Sequence, residues 1–191
     1  MHTHYIIHKP LGYISQFVNN NKRKKKLLGD LFNFAPNTMA IGRLDANSEG
    51  LLLLTTDGKL SDEIRSTKVE KEYYVQLDGV INELAIQKLR SGVEIGIFGK
   101  KYTTGACKAK LLNPAPLFES RSKKIRDDRH GPTSWASITL TEGKFRQVRK
   151  MTAAVGFPTL RLIRVRIGNI ELNDLQPGQV IPCDNLSAVF N

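Results

Sequence analysis

Two segments of the chain combine residue types and spacings that can do chemistry. The first, Gly42-Arg43-Leu44-Asp45-Ala46-Asn47-Ser48-Glu49-Gly50 followed by Leu51-Leu52-Leu53-Leu54-Thr55, places the carboxylate of Asp45 on a polar turn between two apolar stretches. A turn fixed by strands at both ends can hold a side chain rigidly in a cleft, and Arg43 beside it can orient RNA or pair with an acid. The same residues also serve a plainer purpose. Asp45 and Asn47 are what an Asx turn requires, and the local sequence alone favours that reading. The second segment is Glu142-Gly143-Lys144-Phe145-Arg146-Gln147-Val148-Arg149-Lys150-Met151. On a helix, Arg146, Arg149 and Lys150 share one stripe, while Val148, Met151 and Val155 share the opposite one and pack inward. The basic stripe is either a solvated face or a helix end that offers guanidinium groups to phosphate or to a buried carboxylate. An arginine beside Asp45 would keep that acid ionised and hence nucleophilic.

Other chemistries lack their residues. No Gly-x4-Gly-Lys-Ser/Thr loop, Gly-x-Gly-x-x-Gly turn or Gly-x-Ser-x-Gly elbow occurs. His2, His4, His8 and His130 are not spaced as metal ligands, and the His-x-Glu with Pro-Cys-x-x-Cys pair of deaminases is missing. Cys107 and Cys183 form neither a disulfide framework nor a zinc site, and both read as buried small hydrophobes.

The elements that must position the two segments read as a mixture. Strands are expected over residues 5–8, 38–41, 51–55, 72–77, 102–112, 134–140 and 160–167. In 72–77, Tyr73, Val75 and Leu77 fall on one face. In 160–167, Arg161, Arg164 and Arg166 suggest a basic face. Helices are expected over 59–66, 82–90 and 145–155. Asn82 caps the second, Leu84, Ile86 and Leu89 pack it and Gly92 stops it, and Gly156 and Pro158 end the third. Residues 113–132 carry three prolines and no hydrophobic period, so they form a long connection of the kind that is often functional. The class is α+β with a mostly antiparallel sheet.

The chain has 191 residues, with 29 Lys+Arg against 18 Asp+Glu, a net charge of 29 − 18 = +11. That length fits one domain or one domain in two lobes. Hydrophobic residues at 40% and charged residues at 25% exclude wholesale disorder. No apolar run is long enough for a membrane span or a signal peptide, so a cytoplasmic location is expected. The positive excess favours a polyanion as partner. The run Lys22-Arg23-Lys24-Lys25-Lys26 should be an exposed loop, because five adjacent like charges repel in a compact element; it is either a solvated loop or a phosphate contact.

Taken together, the motifs resemble those of the RsuA-type pseudouridine synthases. Gly42-Arg43-Leu44-Asp45 with Ser48-Glu49-Gly50-Leu51-Leu52 resembles the catalytic motif of that family. Lys71-Glu72-Tyr73-Tyr74-Val75 resembles the second motif, and the segment from Glu142 to Met151 the third, in the family's order and with similar spacing. The stretch from Thr152 to Arg164 and Pro132-Thr133-Ser134-Trp135 are similar to the RluE-type subgroup, which modifies large-subunit ribosomal RNA. The resemblance implies a mainly antiparallel sheet bisected into two lobes, with helices packed on it and a central cleft holding Asp45. It also implies isomerisation of uridine to pseudouridine in that RNA, with the target base flipped out of its stack. By the motif matches, Asp45 is the essential carboxylate, Tyr73 packs on the base and assists the proton step, and Arg149 pairs with the acid, with Arg146 as second choice. Arg43 helps replace the flipped base, and Lys9, Arg146, Gln147 and Arg164 join it as expected RNA contacts. No cofactor or metal is implied, because the base is both leaving group and nucleophile. A monomer consisting of the catalytic domain alone is expected, without the N-terminal RNA-binding module of the S4 type. RNA recognition is then expected from the basic segments 22–26 and 121–129.

Two other readings compete. One is a non-catalytic RNA- or ribosome-binding protein on the same fold. The other is a small-glycoside hydrolase, which needs a second carboxylate; Glu49 is the nearby candidate, although local packing or an ion pair suits it better.

Overall fold

The computed structural model of the chain describes residues 2–19, 24–66, 69–121, 123–125 and 128–190. In chain order the elements are β1 (His4–Lys9), β2 (Met39–Ala40), β3 (Glu49–Thr55), α1 (Gly58–Ser66), β4 (Lys71–Asp78), α2 (Glu83–Ser91) and β5 (Glu94–Ile97). They continue with β6 (Lys100–Thr103), β7 (Lys108–Leu112), β8 (Thr133–Leu140), α3 (Gln147–Ala154), β9 (Thr159–Ile167), β10 (Ile170–Glu171) and β11 (Val180–Cys183). The class is mixed α+β. Most strand pairings are antiparallel, and β3 with β9 is parallel. The chain divides into two compact units, Met1–Val69 with Ile163–Asn191, and Glu70–Leu162.

In the first unit β3 is the central strand. Leu51, Leu52, Leu53 and Leu54 are all fully buried, so both faces of the strand are covered and an unbroken apolar run is the right sequence for it. On one side β1 runs antiparallel, from His4 opposite Thr55 to Lys9 opposite Gly50, and β11 extends the ladder beyond β1. On the other side β2 covers the Thr55 end, and residues 163–167 of β9 lie beside the Glu49 end. Tyr5, Ile7, Leu28, Leu52 and Leu54 form a core closed by Phe17 and Phe34, with Tyr5 edge-on to Phe34 at 5.0 Å. Asp57 caps α1 by accepting from the backbone N–H groups of Lys59 and Leu60 at 2.9 and 3.2 Å.

In the second unit β4 pairs with β8 over eight residues, from Lys71 opposite Leu140 to Asp78 opposite Thr133, and β7 follows on the far side of β8. Residues 159–162 of β9 flank β4. Val75, Leu77, Ile86, Leu89, Ile138 and Met151 are among the residues of its core, where each side chain contributes roughly 1.5–3 kcal/mol by burial. The Asn82 side chain caps α2 by accepting from Ala85 N–H at 2.9 Å, and Gly92 ends it with φ 94°.

Several expectations need correction. Leu84 is 61% exposed, because the buried face of α2 is Ala85, Ile86 and Leu89, and a residue one step before Ala85 lies about 100° around the helix. The expected strand over 102–112 is two strands. β6 pairs with β5 in a separate hairpin and β7 joins β8, with residues 104–107 between them. α3 starts at Gln147, so Arg146 is its N-cap in a left-handed conformation (φ 53°, ψ 34°) and does not share a helical stripe with Arg149 and Lys150. The basic face of β9 is not a solvent face: Arg161 and Arg164 are buried, on opposite sides of the strand by parity. Cys107 and Cys183 are free thiols, half-buried rather than buried. Burial raises the Cys107 thiol pKa to about 11, with Glu142 adding to the rise and Arg90 opposing it. Of the basic run, residues 22 and 23 lie outside the described residues, and Lys24, Lys25 and Lys26 are exposed. In 121–129, Arg126 likewise lies outside them.

Candidate functional site

In the first unit the chain leaves β2 through Ile41, whose N–H donates to Leu53 C=O at 2.8 Å, and turns at Gly42 with φ 75°. The turn carrying Asp45 is closed by Ser48 N–H donating to the Asp45 carbonyl at 3.0 Å. Both neighbours of Asp45 are tied down. The hydroxyl of Ser15 donates to Leu44 C=O and accepts from Leu44 N–H, each at 2.9 Å, and Gly12 N–H donates to Ala46 C=O at 2.7 Å. Leu44 itself is buried. Asp45 is therefore a half-buried carboxylate on a backbone fixed on both sides, while Arg43 is exposed. Such fixation is what a catalytic group needs in order to act without paying for its own positioning during the reaction.

Beneath this turn lies a buried charged row. Lys9 on β1 and Arg164 on β9 both stand opposite Gly50 of β3, so the two cations occupy one row across three strands. Lys9 is 0% exposed, and its Nζ donates to the carbonyls of Pro10 at 3.0 Å and Tyr13 at 2.7 Å. Burial pulls its pKa down from 10.5 to about 7, against the pull of Glu49 and Asp45 upward and with a small push from Arg164 downward. Arg164 donates from Nε to Leu51 C=O at 2.8 Å, and its buried Nη2 has no hydrogen-bond partner among the described residues. Glu49 is 2% exposed. The row exists because Gly50 lacks a side chain: a Cβ there would stand 2.3 Å from the Arg164 carbonyl oxygen.

The second unit holds the other candidates. Tyr73 on β4, opposite Ile138 of β8, is half-buried at the margin of the core. Before α3, the carboxylate of Glu142 accepts from Tyr102 O–H at 2.5 Å, from Gly105 N–H at 2.9 Å and from Gln147 Nε2 at 2.6 Å. Burial raises the Glu142 pKa, but these three hydrogen bonds and the charge of Lys144 outweigh it and hold the carboxyl below its ordinary value. Gln147 also accepts from Lys144 N–H at 2.9 Å, so the amide locks the loop onto the helix start. Arg149 is half-buried and donates from Nη1 to Thr159 C=O at 3.2 Å.

The candidates thus divide: Lys9, Arg43, Asp45 and Arg164 belong to the first unit, and Tyr73, Arg146, Gln147 and Arg149 to the second. Of the five expected RNA contacts, Arg43 is exposed and Arg146 half-buried. Lys9, Gln147 and Arg164 are buried and hydrogen-bonded within the fold. Sequence reasoning missed Ser15 and Glu142 as supports. Serine carries no local signal for a contact 29 residues away, whereas Glu142 stood inside a motif already singled out. Among the described residues no group of three or more His, Cys, Asp or Glu side chains is arranged to hold a metal ion, and no helix is long and apolar enough to cross a membrane.

The family model described as RNA pseudouridylate synthase matches residues 3–154. The chain is 43% identical over 178 residues to the ribosomal large subunit pseudouridine synthase E of Vibrio parahaemolyticus serotype O3:K6, covering 91% of this chain and 71% of that protein. It is 41% identical to the protein of the same name from Xanthomonas axonopodis pv. citri, covering 90% and 89%. Among solved structures, a pseudouridylate synthase superposes with a TM-score of 0.75 at 26% identity, covering 96% of this chain and 70% of that one.

Proposed function

The chain belongs to the RNA pseudouridylate synthase family, and from that premise we propose that it converts a uridine of large-subunit ribosomal RNA into pseudouridine. The C1′–N1 bond of the nucleotide breaks, uracil turns while held in the site, and C5 joins C1′. The proton on C5 is lost and N1 gains one, so nothing enters or leaves overall. A C1′ that is losing its base gains oxocarbenium character, and a fixed ionised carboxylate stabilises it. Asp45 is that carboxylate in this reading. The observation that carries the assignment is the double anchoring of its neighbours Leu44 and Ala46, which holds a half-buried acid in one place.

A stacked base cannot present C1′ and C5 to a protein group, so the target must be extruded from the RNA. The motif matches extend the assignment to Tyr73, as the ring that receives the base and serves the proton step, and to Arg149, as the cation serving the acid. In this reading Arg43, exposed two residues before Asp45, fills the gap left by the base. Lys9, Glu49 and Arg164 support the turn from within the first unit. A net charge of +11 suits an RNA substrate, whose phosphates must be held while the base is out. The protein acts as a monomer in the cytoplasm, where ribosomal RNA is made, and the whole chain serves as the catalytic domain.

Mapping pseudouridines in ribosomal RNA from cells with and without the gene tests the reading. Loss of one large-subunit site supports it. Loss of a small-subunit site, or of none, contradicts it.

A further inference from the structure

The tip of the β5–β6 hairpin carries an anomaly that the reaction does not use. Phe98 and Gly99 join Ile97 to Lys100 as a two-residue turn, and both have positive φ, 48° and 79°. Asparagine or glycine normally takes the first of these positions, because a side chain with a Cβ is strained there. Here it is phenylalanine, and the residue is 83% exposed. Backbone strain and an apolar ring in water are both unfavourable, and the core gains nothing from either. Phe98 stacks on Phe145, itself 52% exposed, with centroids 5.4 Å apart and planes 20° from parallel. Lysines stand next to the pair along the chain, with Lys144 preceding Phe145 and Lys100 and Lys101 following the turn, and Lys150 meets it in space. Lys150 Nζ lies 5.1 Å over the Phe145 ring and donates to Gly96 C=O at 2.6 Å, which ties the hairpin to α3. Lys144 Nζ lies 5.1 Å over the Tyr102 ring, and Lys100 and Lys101 are exposed on the hairpin, Lys101 paired with Glu94 at 3.0 Å.

We propose that the Phe98–Phe145 stack, flanked by Lys100, Lys144 and Lys150, is a second RNA-binding surface that receives an unpaired nucleotide of the substrate other than the one being isomerised. The two near-parallel rings present a flat outer face on which a base continues the stack, and the ammonium groups meet its phosphates. Unpaired bases stacked on aromatic side chains beside cations are the usual way single-stranded RNA is held. This inference rests on the reading of the substrate as RNA and adds where that RNA is gripped. It assigns Phe98 to affinity and leaves the chemical step to other residues.

The test uses the full chain and a large-subunit ribosomal RNA fragment. Phe98→Asn removes the ring and suits the left-handed backbone, so it keeps the turn; Phe98→Trp keeps an aromatic face. The expected result is a rise of about five-fold or more in KM and in the dissociation constant for Phe98→Asn, with kcat changed by less than about two-fold and recovery in Phe98→Trp. The introduced tryptophan is exposed, whereas the chain's one native tryptophan, Trp135, is 9% exposed. Its fluorescence should be quenched by oligouridylate and not by inorganic polyphosphate. Equal quenching by both would overturn the stacking role in favour of charge alone. Unchanged KM and affinity in Phe98→Asn would overturn the proposal, as would a loss of self-association with RNA binding intact, which would make the tip a protein contact. If the wild-type chain forms no pseudouridine, the proposed function fails, and the quenching experiment still decides on the stack.

Discussion

A lysine with no exposed surface sets the character of the Asp45 region. Burial penalises the charged form of Lys9 more than Glu49 and Asp45 favour it, so its pKa falls from 10.5 to about 7. The sign of the consequence follows from proton counting. Below about pH 7 both folded and unfolded chains hold this proton. Above it the unfolded chain keeps the proton and the folded chain does not, so stability rises with pH by up to about 1.4 kcal/mol per unit. The Lys9 contribution ends near pH 10.5, and from about pH 9 upward it is offset by Cys107, whose thiol ionises in the unfolded chain but, raised to about 11, stays protonated in the fold. Urea titrations of the wild type from pH 7 to 9 should show the rise, and Lys9→Met should flatten it. An equal slope in Lys9→Met would show that another group is responsible. The turn that carries Asp45 was legible in the sequence, because its polar residues stand together between two apolar stretches. The burial of Lys9, Gln147 and Arg164 was not, because a charged residue beside a strand reads as exposed until the strands on either side of it are known.

The placement of most elements followed from pattern. β3 is a run of leucines, α2 has its Asn82 cap and Gly92 stop, and β4 alternates about Val75 and Leu77. What escaped were features set by partners rather than by period. The β5–β6 hairpin turns at Phe98, a residue that carries no turn signal, and α3 begins at Gln147, two residues later than expected, because Arg146 adopts φ 53°. Gly50 belongs to the same class. Its φ of 107° and the 2.3 Å approach of a Cβ to the Arg164 carbonyl mean that β1, β3 and β9 meet there only through a glycine. Gly50→Ala should cost about 2 kcal/mol or more of stability, read as a fall in the urea midpoint, and should lower activity further by shifting the turn that carries Asp45. A variant as stable as the wild type would mean that β3 and β9 can separate at no cost, contrary to the packing described.

For the molecule as a whole, charge and fold meet in the substrate. A chain of net charge +11 that binds RNA releases counterions, so affinity should fall linearly with salt on a double logarithmic plot. Replacing Lys100 by Gln should reduce that slope by about one if the lysine meets a phosphate, and an unchanged slope would exclude the contact. The two-unit division of the chain and its α+β class agree with the expected fold. The central claim is that this fold delivers one fixed carboxylate to a uridine. It is tested most directly by incubating the purified wild type and Asp45→Asn with unmodified large-subunit ribosomal RNA and reading pseudouridine by carbodiimide-dependent primer-extension stops. A stop at one site with the wild type and none with Asp45→Asn is expected, at equal thermal midpoints and equal RNA affinity. A stop of wild-type intensity produced at the wild-type rate by Asp45→Asn would contradict it.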